Sequence, residues 1–394
     1  MKFAERIHPL QANVFADMDR AKAQARAAGQ SILDLSLGSS DLPAPPHVLD
    51  AIAASLQDPG THGYLLHNGT QAFRQAAASW YERKFDVPVD PETEVLLLIG
   101  SQEGTAHLPL ALMNPGEFAL LQDPAYPSHA GGVHLANGQV YRMPSLAENQ
   151  FLPIFAEIPA VVLEQARLMV LSYPHNPTAA VAPLSFFVEA VEFCQAHNLV
   201  LIHDFPYPDL GFDDAPAPSV FQADREKSVS IELFSMSKSY NMGGFRVAYA
   251  IGNAEIITAL RQVKSVIDFN QYRGILNGAI AALTGPQDCV QEVNQRFQQR
   301  RDVFVAALQR IGWQVTTPPA TMYVWAQLPE PWQTRSMEFC VELVKATGVA
   351  VSPGIGFGKA GEGYVRFALV HEPDVLEAAV ERIGTFLVAA SDPI

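Results

Sequence analysis

Phe234-Ser235-Met236-Ser237-Lys238-Ser239-Tyr240-Asn241-Met242-Gly243-Gly244-Phe245-Arg246 is the stretch from which the fold reads outward. Lys238 stands among small hydroxyl residues, with Arg246 one short loop further on. A lysine that forms a Schiff base must lose its proton to attack an aldehyde, and a nearby cation helps depress its pKa. Ser235 and Ser237 offer hydroxyl donors to phosphate oxygens, and Arg246 offers a planar fork that grips two of them. An aldehyde and a phosphate on one molecule describe pyridoxal 5'-phosphate. Taken alone, the run also fits a surface lysine in a Ser/Gly loop. The apolar run 229–234 ahead of it reads instead as a buried strand entering that loop.

Upstream residues weigh on the choice. Leu199-Val200-Leu201-Ile202-His203-Asp204 is an apolar, β-rich run that ends in a carboxylate. Parallel strands buried on both faces read this way, and α/β sites gather at the carboxyl ends of such strands. A buried Asp needs a partner, and the ring nitrogen of pyridoxal phosphate is one: a carboxylate there keeps the ring protonated as an electron sink. Tyr207 stands within reach of the cofactor's phenolic oxygen. A further run, 167–172, leads into Tyr173-Pro174-His175-Asn176-Pro177-Thr178, whose prolines favour an extended loop presenting the Asn176 amide. Asn-Pro alone is a common turn. The ordered set Asn176, Asp204, Tyr207, Lys238, Arg246 carries more weight than any member.

With these residues in view, the chain resembles the class I/II aminotransferases, the fold type I pyridoxal-phosphate enzymes. The resemblance extends over nearly the whole chain. Thr61-His62-Gly63-Tyr64, Ser237-Lys238-Ser239-Tyr240-Asn241-Met242 and Ser352-Pro353-Gly354-Ile355-Gly356-Phe357-Gly358 look most like bacterial alanine (glutamate–pyruvate) members. It implies an α/β fold: a large domain with a mostly parallel seven-stranded sheet, plus a smaller α/β C-terminal domain. It implies catalytic roles for Lys238, Asp204 and Tyr207. Gly100-Ser101-Gln102-Glu103-Gly104 resembles the family's phosphate turn at a helix N-terminus, a place that favours anions. Ser101 and Gln102 match its backbone donors, and Tyr126 matches the aromatic that stacks on the cofactor ring. Tyr64 matches a tyrosine reaching the phosphate from the neighbouring subunit, which implies a homodimer with active sites at the interface. Arg366 matches the clamp on the substrate α-carboxylate, Gly38 a glycine whose backbone approaches that carboxylate, and Asn176 a further substrate contact. Without the resemblance, several of these read more plainly, Arg366 as an exposed strand residue and Gly38 as a turn.

Composition agrees with a metabolic enzyme. At 394 residues the chain exceeds one typical domain. We expect an N-terminal arm and helix over 1–44 packing with the small domain, a cofactor-binding domain over 45–280 and a small domain over 281–394. Hydrophobic residues make up 48%, ample for a core, and the net charge of −15 with no long basic run speaks against nucleic-acid binding. Cys194, Cys289 and Cys340 are too scattered for a metal or disulfide framework. The histidine pairs His62/His67 and His129/His134 lack ligand spacing, so no metal is expected. The N-terminal residues lack a signal-peptide core and no run is long enough to span a membrane, so a cytoplasmic enzyme is expected. The expected reaction moves an amino group between an L-amino acid and a 2-oxoacid, with alanine/glutamate and pyruvate/2-oxoglutarate first. Arg273, in Asp268-Phe269-Asn270-Gln271-Tyr272-Arg273, keeps a diaminopimelate or aspartate activity open, because dicarboxylate-using relatives place an arginine from the partner subunit near the substrate's far end. Its plain reading is a helix-flanking surface residue. A carbon–sulfur lyase shares the fold and the lysine. A regulatory module would need a DNA-binding segment, and the arm before Leu33 is too short for one.

Overall fold

The apolar runs ending near residues 98, 171, 204 and 235 fold as strands buried on both faces. The structure is a computed structural model that describes residues 3–10, 14–213 and 217–391. Its strands are β1 (Leu33–Asp34), β2 (Val95–Leu98), β3 (Phe118–Asp123), β4 (Gln139–Pro144), β5 (Ala166–Leu171), β6 (Val200–Asp204), β7 (Ser230–Ser235), β8 (Ala248–Gly252), β9 (Tyr323–Gln327), β10 (Val349–Ala350), β11 (Ser352–Pro353) and β12 (Tyr364–Ala368). Seven of them form one sheet in the order β2-β8-β7-β6-β5-β3-β4. All its pairings are parallel except those of β8, which runs against both β2 and β7.

Side chains alternate between the two faces, as a pleated strand requires. Leu97, Leu120, Met169 and Leu201 join one core with Phe73, Trp80 and Phe85 of helix Gln71–Phe85 and Phe187 of helix Leu184–Ala196. Leu96, Leu98, Leu121, Val170 and Ile202 join another with Leu108 of helix Ser101–Leu112 and Leu260 of helix Ala254–Ile267. Helices on both faces and the strand order place loops from β2, β3, β5, β6 and β7 along one carboxyl edge. The reversed β8 begins at that edge, just after Arg246.

A buried polar network fixes the register of the two strands that matter most. His203 of β6 lies opposite Glu232 of β7, with Nδ1 2.6 Å from Oε1 and both side chains fully buried. Glu232 also accepts from Tyr81 Oη at 3.1 Å, Ser219 Oγ at 2.8 Å and the Val220 N–H at 3.0 Å. A buried carboxylate with this many partners is satisfied, and it locks Asp204 beside the strand that delivers Lys238.

A separate core gathers around the antiparallel sheet β11-β12-β9. Phe297, Phe304 and Leu308 of helix Asp288–Arg310, Leu343 of Ser336–Thr347 and Leu376 and Ile383 of Pro373–Ser391 fill it. Met18, Ala21 and Ala25 of helix Val14–Ala27 pack into the same core, and β1 pairs in parallel with β10. Among the described residues no helix is long and apolar enough to cross a membrane.

Candidate active site

Lys238 lies in the helical turn Met236–Ser239 that begins where β7 ends. The Ser235 hydroxyl caps this turn, accepting from the Ser237 N–H at 3.2 Å, and remains able to donate its own proton. The Lys238 ammonium donates to the Gly38 carbonyl at 2.5 Å. Burial pushes this amine below the usual lysine range; Tyr323 opposes the shift, while Arg366 and Arg246 reinforce it.

Asp204 closes β6 and is almost wholly buried. Its Oδ2 sits 2.9 Å from His129 Nε2, while Oδ1 is buried without a partner. Such an oxygen is costly to leave unmet, and a protonated ring nitrogen would satisfy it. Tyr126, at the loop after β3, meets His129 edge-on with ring centroids 5.9 Å apart. Burial, followed by Tyr323 and Asp204, raises its hydroxyl pKa.

The loop after β5 brings Asn176 to Arg366 of β12. Arg366 Nη1 donates to Asn176 Oδ1 at 2.7 Å, and Nη2 donates to the Ser36 carbonyl at 2.8 Å. The Asn176 oxygen is thereby engaged, which turns its NH2 group the other way as a donor. Arg366 Nε is buried without a partner. Its neighbour in the same loop, His175, is held neutral: burial, aided by His129, lowers its pKa to about 3.

Gly100 has φ +76°, and a Cβ there would lie 2.1 Å from Arg246 Nη2. Glycine is therefore what lets the Arg246 guanidinium close on the start of helix Ser101–Leu112. Ser101 and Gln102 form the first turn of that helix, whose free N–H groups and dipole favour an anion. Arg246, Ser101, Gln102, Ser235 and Ser237 thus line one end of the carboxyl edge, and Asp204 lies further along it. The donor set, an anion-favouring helix start with Arg246, an amine and an unpaired buried carboxylate oxygen, fits pyridoxal phosphate.

Two residues escape the sequence reading. His129 emerges as the partner of Asp204 rather than as a lone histidine. Tyr323, the first residue of β9, reaches into the site: Tyr207 Oη donates to Tyr323 Oη at 3.0 Å, and the Arg366 guanidinium lies 4.2 Å from the Tyr323 ring centroid. Burial alone would raise the Tyr323 pKa, but Lys238, Arg366 and the bond from Tyr207 outweigh it and hold it below the usual tyrosine range. Nothing in the run around Tyr323 marks it, because only the fold brings β9 to β6 and β7.

Tyr64 does not join these residues within the chain. It is 87% exposed, and its ring centroid lies 5.7 Å from that of Phe269. Arg273 starts helix Arg273–Thr284 beside Gly69, and no carboxylate pairs with it among the described residues. Among the described residues one cluster has metal-ligand character, Glu103 and His107 of helix Ser101–Leu112 with Asp268, behind the turn that bears Ser101 and Gln102. The Lys264 ammonium sits within it, 2.7 Å from Glu103 and 2.9 Å from Asp268.

A family model described as aminotransferase class I and II matches residues 30–383. The chain is 43% identical to an LL-diaminopimelate aminotransferase of Dehalococcoides mccartyi over 98% of its own length and 99% of the relative's. It is likewise 43% identical to the enzyme of that name from Moorella thermoacetica, again over 98% and 99% of the two chains. The solved structure of apo-BacF from Bacillus subtilis superposes with a TM-score of 0.93 at 36% identity, covering 98% of each chain. The first two of these relatives bear the diaminopimelate name, where the sequence motifs point first to alanine-type members.

Proposed function

This chain belongs to the class I and II aminotransferases and is a pyridoxal-phosphate-dependent transaminase, and we propose that its amino donor carries a second, distal charged end, as LL-diaminopimelate does, with a 2-oxoacid as acceptor. The names of the relatives support this over the alanine/glutamate pairing. The unpaired guanidinium of Arg273 supports it too, since it is free to meet a distal carboxylate.

When bound, pyridoxal phosphate supplies an aldehyde and a ring that draws off negative charge from the substrate's α-carbon. The chain's residues do the rest. Ser101 and Gln102 N–H groups, the Ser235 and Ser237 hydroxyls and Arg246 hold the phosphate. Tyr126 would pack on its ring. Asp204 Oδ1 would hold the ring nitrogen's proton, with His129 steadying the other carboxylate oxygen. Asn176 and Tyr207 would donate to its phenolic oxygen. Arg366 grips the α-carboxylate in two hydrogen bonds, and the Gly38 backbone lies against it. Lys238, its pKa depressed, would hold the substrate's α-proton at Nζ, a general-base task. The exposed Tyr64 serves the partner subunit's phosphate in a homodimer, and Arg273 reaches the partner's site in the same way.

The observation that carries the reading is the buried, unpaired Asp204 Oδ1 at the same carboxyl edge as Lys238. The test is transamination of LL-diaminopimelate, alanine, aspartate and glutamate with 2-oxoglutarate. LL-diaminopimelate should exceed alanine by about tenfold or more in kcat/KM, since one charge-assisted contact is worth roughly that much. Arg273→Ala should erase the advantage and leave alanine unchanged. Alanine as the best donor would defeat the substrate assignment, and ammonia release without an oxoacid would defeat the transaminase reading.

A further inference from the structure

Tyr323 has no task in the reading above, yet the parts of the site converge on it. It is 2% exposed. Its ring lies under the Arg366 guanidinium at 4.2 Å, and its hydroxyl accepts a hydrogen bond from Tyr207 Oη at 3.0 Å. A Cβ on Gly38 would stand 1.9 Å from that hydroxyl, and Lys238 donates to the same glycine's carbonyl. One side chain therefore adjoins the carboxylate clamp, the cofactor-facing tyrosine and the loop that receives the catalytic amine.

We propose that Tyr323 is a positioning residue with two separable tasks: its ring seats Arg366 for the substrate carboxylate, and its hydroxyl strengthens Tyr207 as a donor to the cofactor. The inference rests on the function proposed above. Arg366 has Nη1 and Nη2 tied to Asn176 and Ser36, so its plane is set by those bonds and by two aromatic faces, the nearer Tyr323 at 4.2 Å and Phe357 at 4.7 Å. A tyrosine hydroxyl donates one hydrogen bond and accepts others. Once Tyr207 turns its proton toward the cofactor's phenolic oxygen, its own oxygen is open to a donor. Tyr323 Oη is the hydroxyl that already touches it. Linked hydrogen bonds polarise one another, and a stronger donor favours the anionic form of the phenolic oxygen. Losing the Tyr323 hydroxyl therefore raises the pH midpoint at which the bound cofactor's visible band titrates.

The test compares holoenzymes of the native chain, Tyr323→Phe and Tyr323→Leu by two measurements. One is the pH titration of the visible band; the other is the Kd of succinate, a dicarboxylate with no amino group to transfer. Tyr323→Phe should raise the midpoint by roughly half a pH unit or more, the size expected from one hydrogen bond, and leave succinate binding within about twofold, because the aromatic face remains. Tyr323→Leu should raise the midpoint equally and weaken succinate about tenfold, as loss of a desolvated cation–π contact implies. Should the leucine variant fail to fold, Tyr323→Met takes its place. A midpoint unchanged in Tyr323→Phe overturns the hydroxyl task, and native succinate affinity in the ring-less variant overturns the ring task. A native chain that takes up no pyridoxal phosphate would overturn this proposal together with the function on which it rests.

Discussion

At the scale of single residues, the site is organised by polar atoms that the fold buries and leaves unmet. Asp204 Oδ1 and Arg366 Nε are both of this kind. In the proposed function each would meet a group of opposite character, a protonated ring nitrogen for one and a carboxylate for the other. Replacing Asp204 by Ala removes a charge-assisted hydrogen bond worth about 1.5–3 kcal/mol. With saturating cofactor, turnover should then fall roughly ten- to hundredfold, more than cofactor affinity, because the phosphate contacts are untouched. Steady-state kinetics and cofactor titration read the two effects separately; unchanged turnover would remove Asp204 from the chemistry. The place of Asp204 was legible in the sequence because it closes an apolar run, and the places of Lys238 and Asn176 because each stands in the segment just after one. Arg366 was legible only through family resemblance, since an arginine in an alternating strand looks exposed; here it is buried against Tyr323 and Phe357. His129 and Tyr323 were not legible, because their partners lie 75 and 116 positions away.

At the scale of elements, the phosphate turn is tied to the helix behind it. Glu103 accepts from the Ile99 N–H just before the turn, and its other oxygen holds Lys264 of helix Ala254–Ile267. Lys264 also bonds Asp268 at 2.9 Å, and Gln271 further along donates to the Leu98 and Arg246 carbonyls. The turn, Arg246 and the segment bearing Phe269 thus form one braced unit. The Glu103 and Lys264 side chains are both nearly inaccessible, so removing one leaves a buried charge unpaired. Lys264→Met should destabilise the chain by about 3–5 kcal/mol in denaturant unfolding. Adding Glu103→Gln should recover most of that loss, a coupling that independent sites would not show. The sequence revealed the βα alternation and hence the mostly parallel sheet. It did not reveal the reversal of β8, because an antiparallel strand buried on both faces has the same apolar pattern as a parallel one.

At the scale of the whole molecule, the site described within one chain lacks the tyrosine that resemblance assigns to its phosphate. Tyr64 stands exposed against the Phe269 ring, and Leu66, Val266 and Ile267, close by along the chain to one or the other, are exposed as well. A cluster of large exposed apolar residues marks an interaction surface, and Arg273 follows directly on this segment. A second copy of the chain, bringing its own Tyr64 to the phosphate, is the partner that the account requires. Mixing Tyr64→Phe with Lys238→Ala subunits tests this most directly, once each variant is shown to be impaired and subunit exchange is verified. Lys238→Ala alone should lose about 10²–10⁴-fold in rate, as expected for a missing general base. If Tyr64 serves the opposite subunit, each hybrid holds one doubly damaged site and one intact site. Activity in the mixture should then rise above that of either parent. If exchanged hybrids gain nothing, each site carries one lesion, and a site completed across the dimer interface is contradicted.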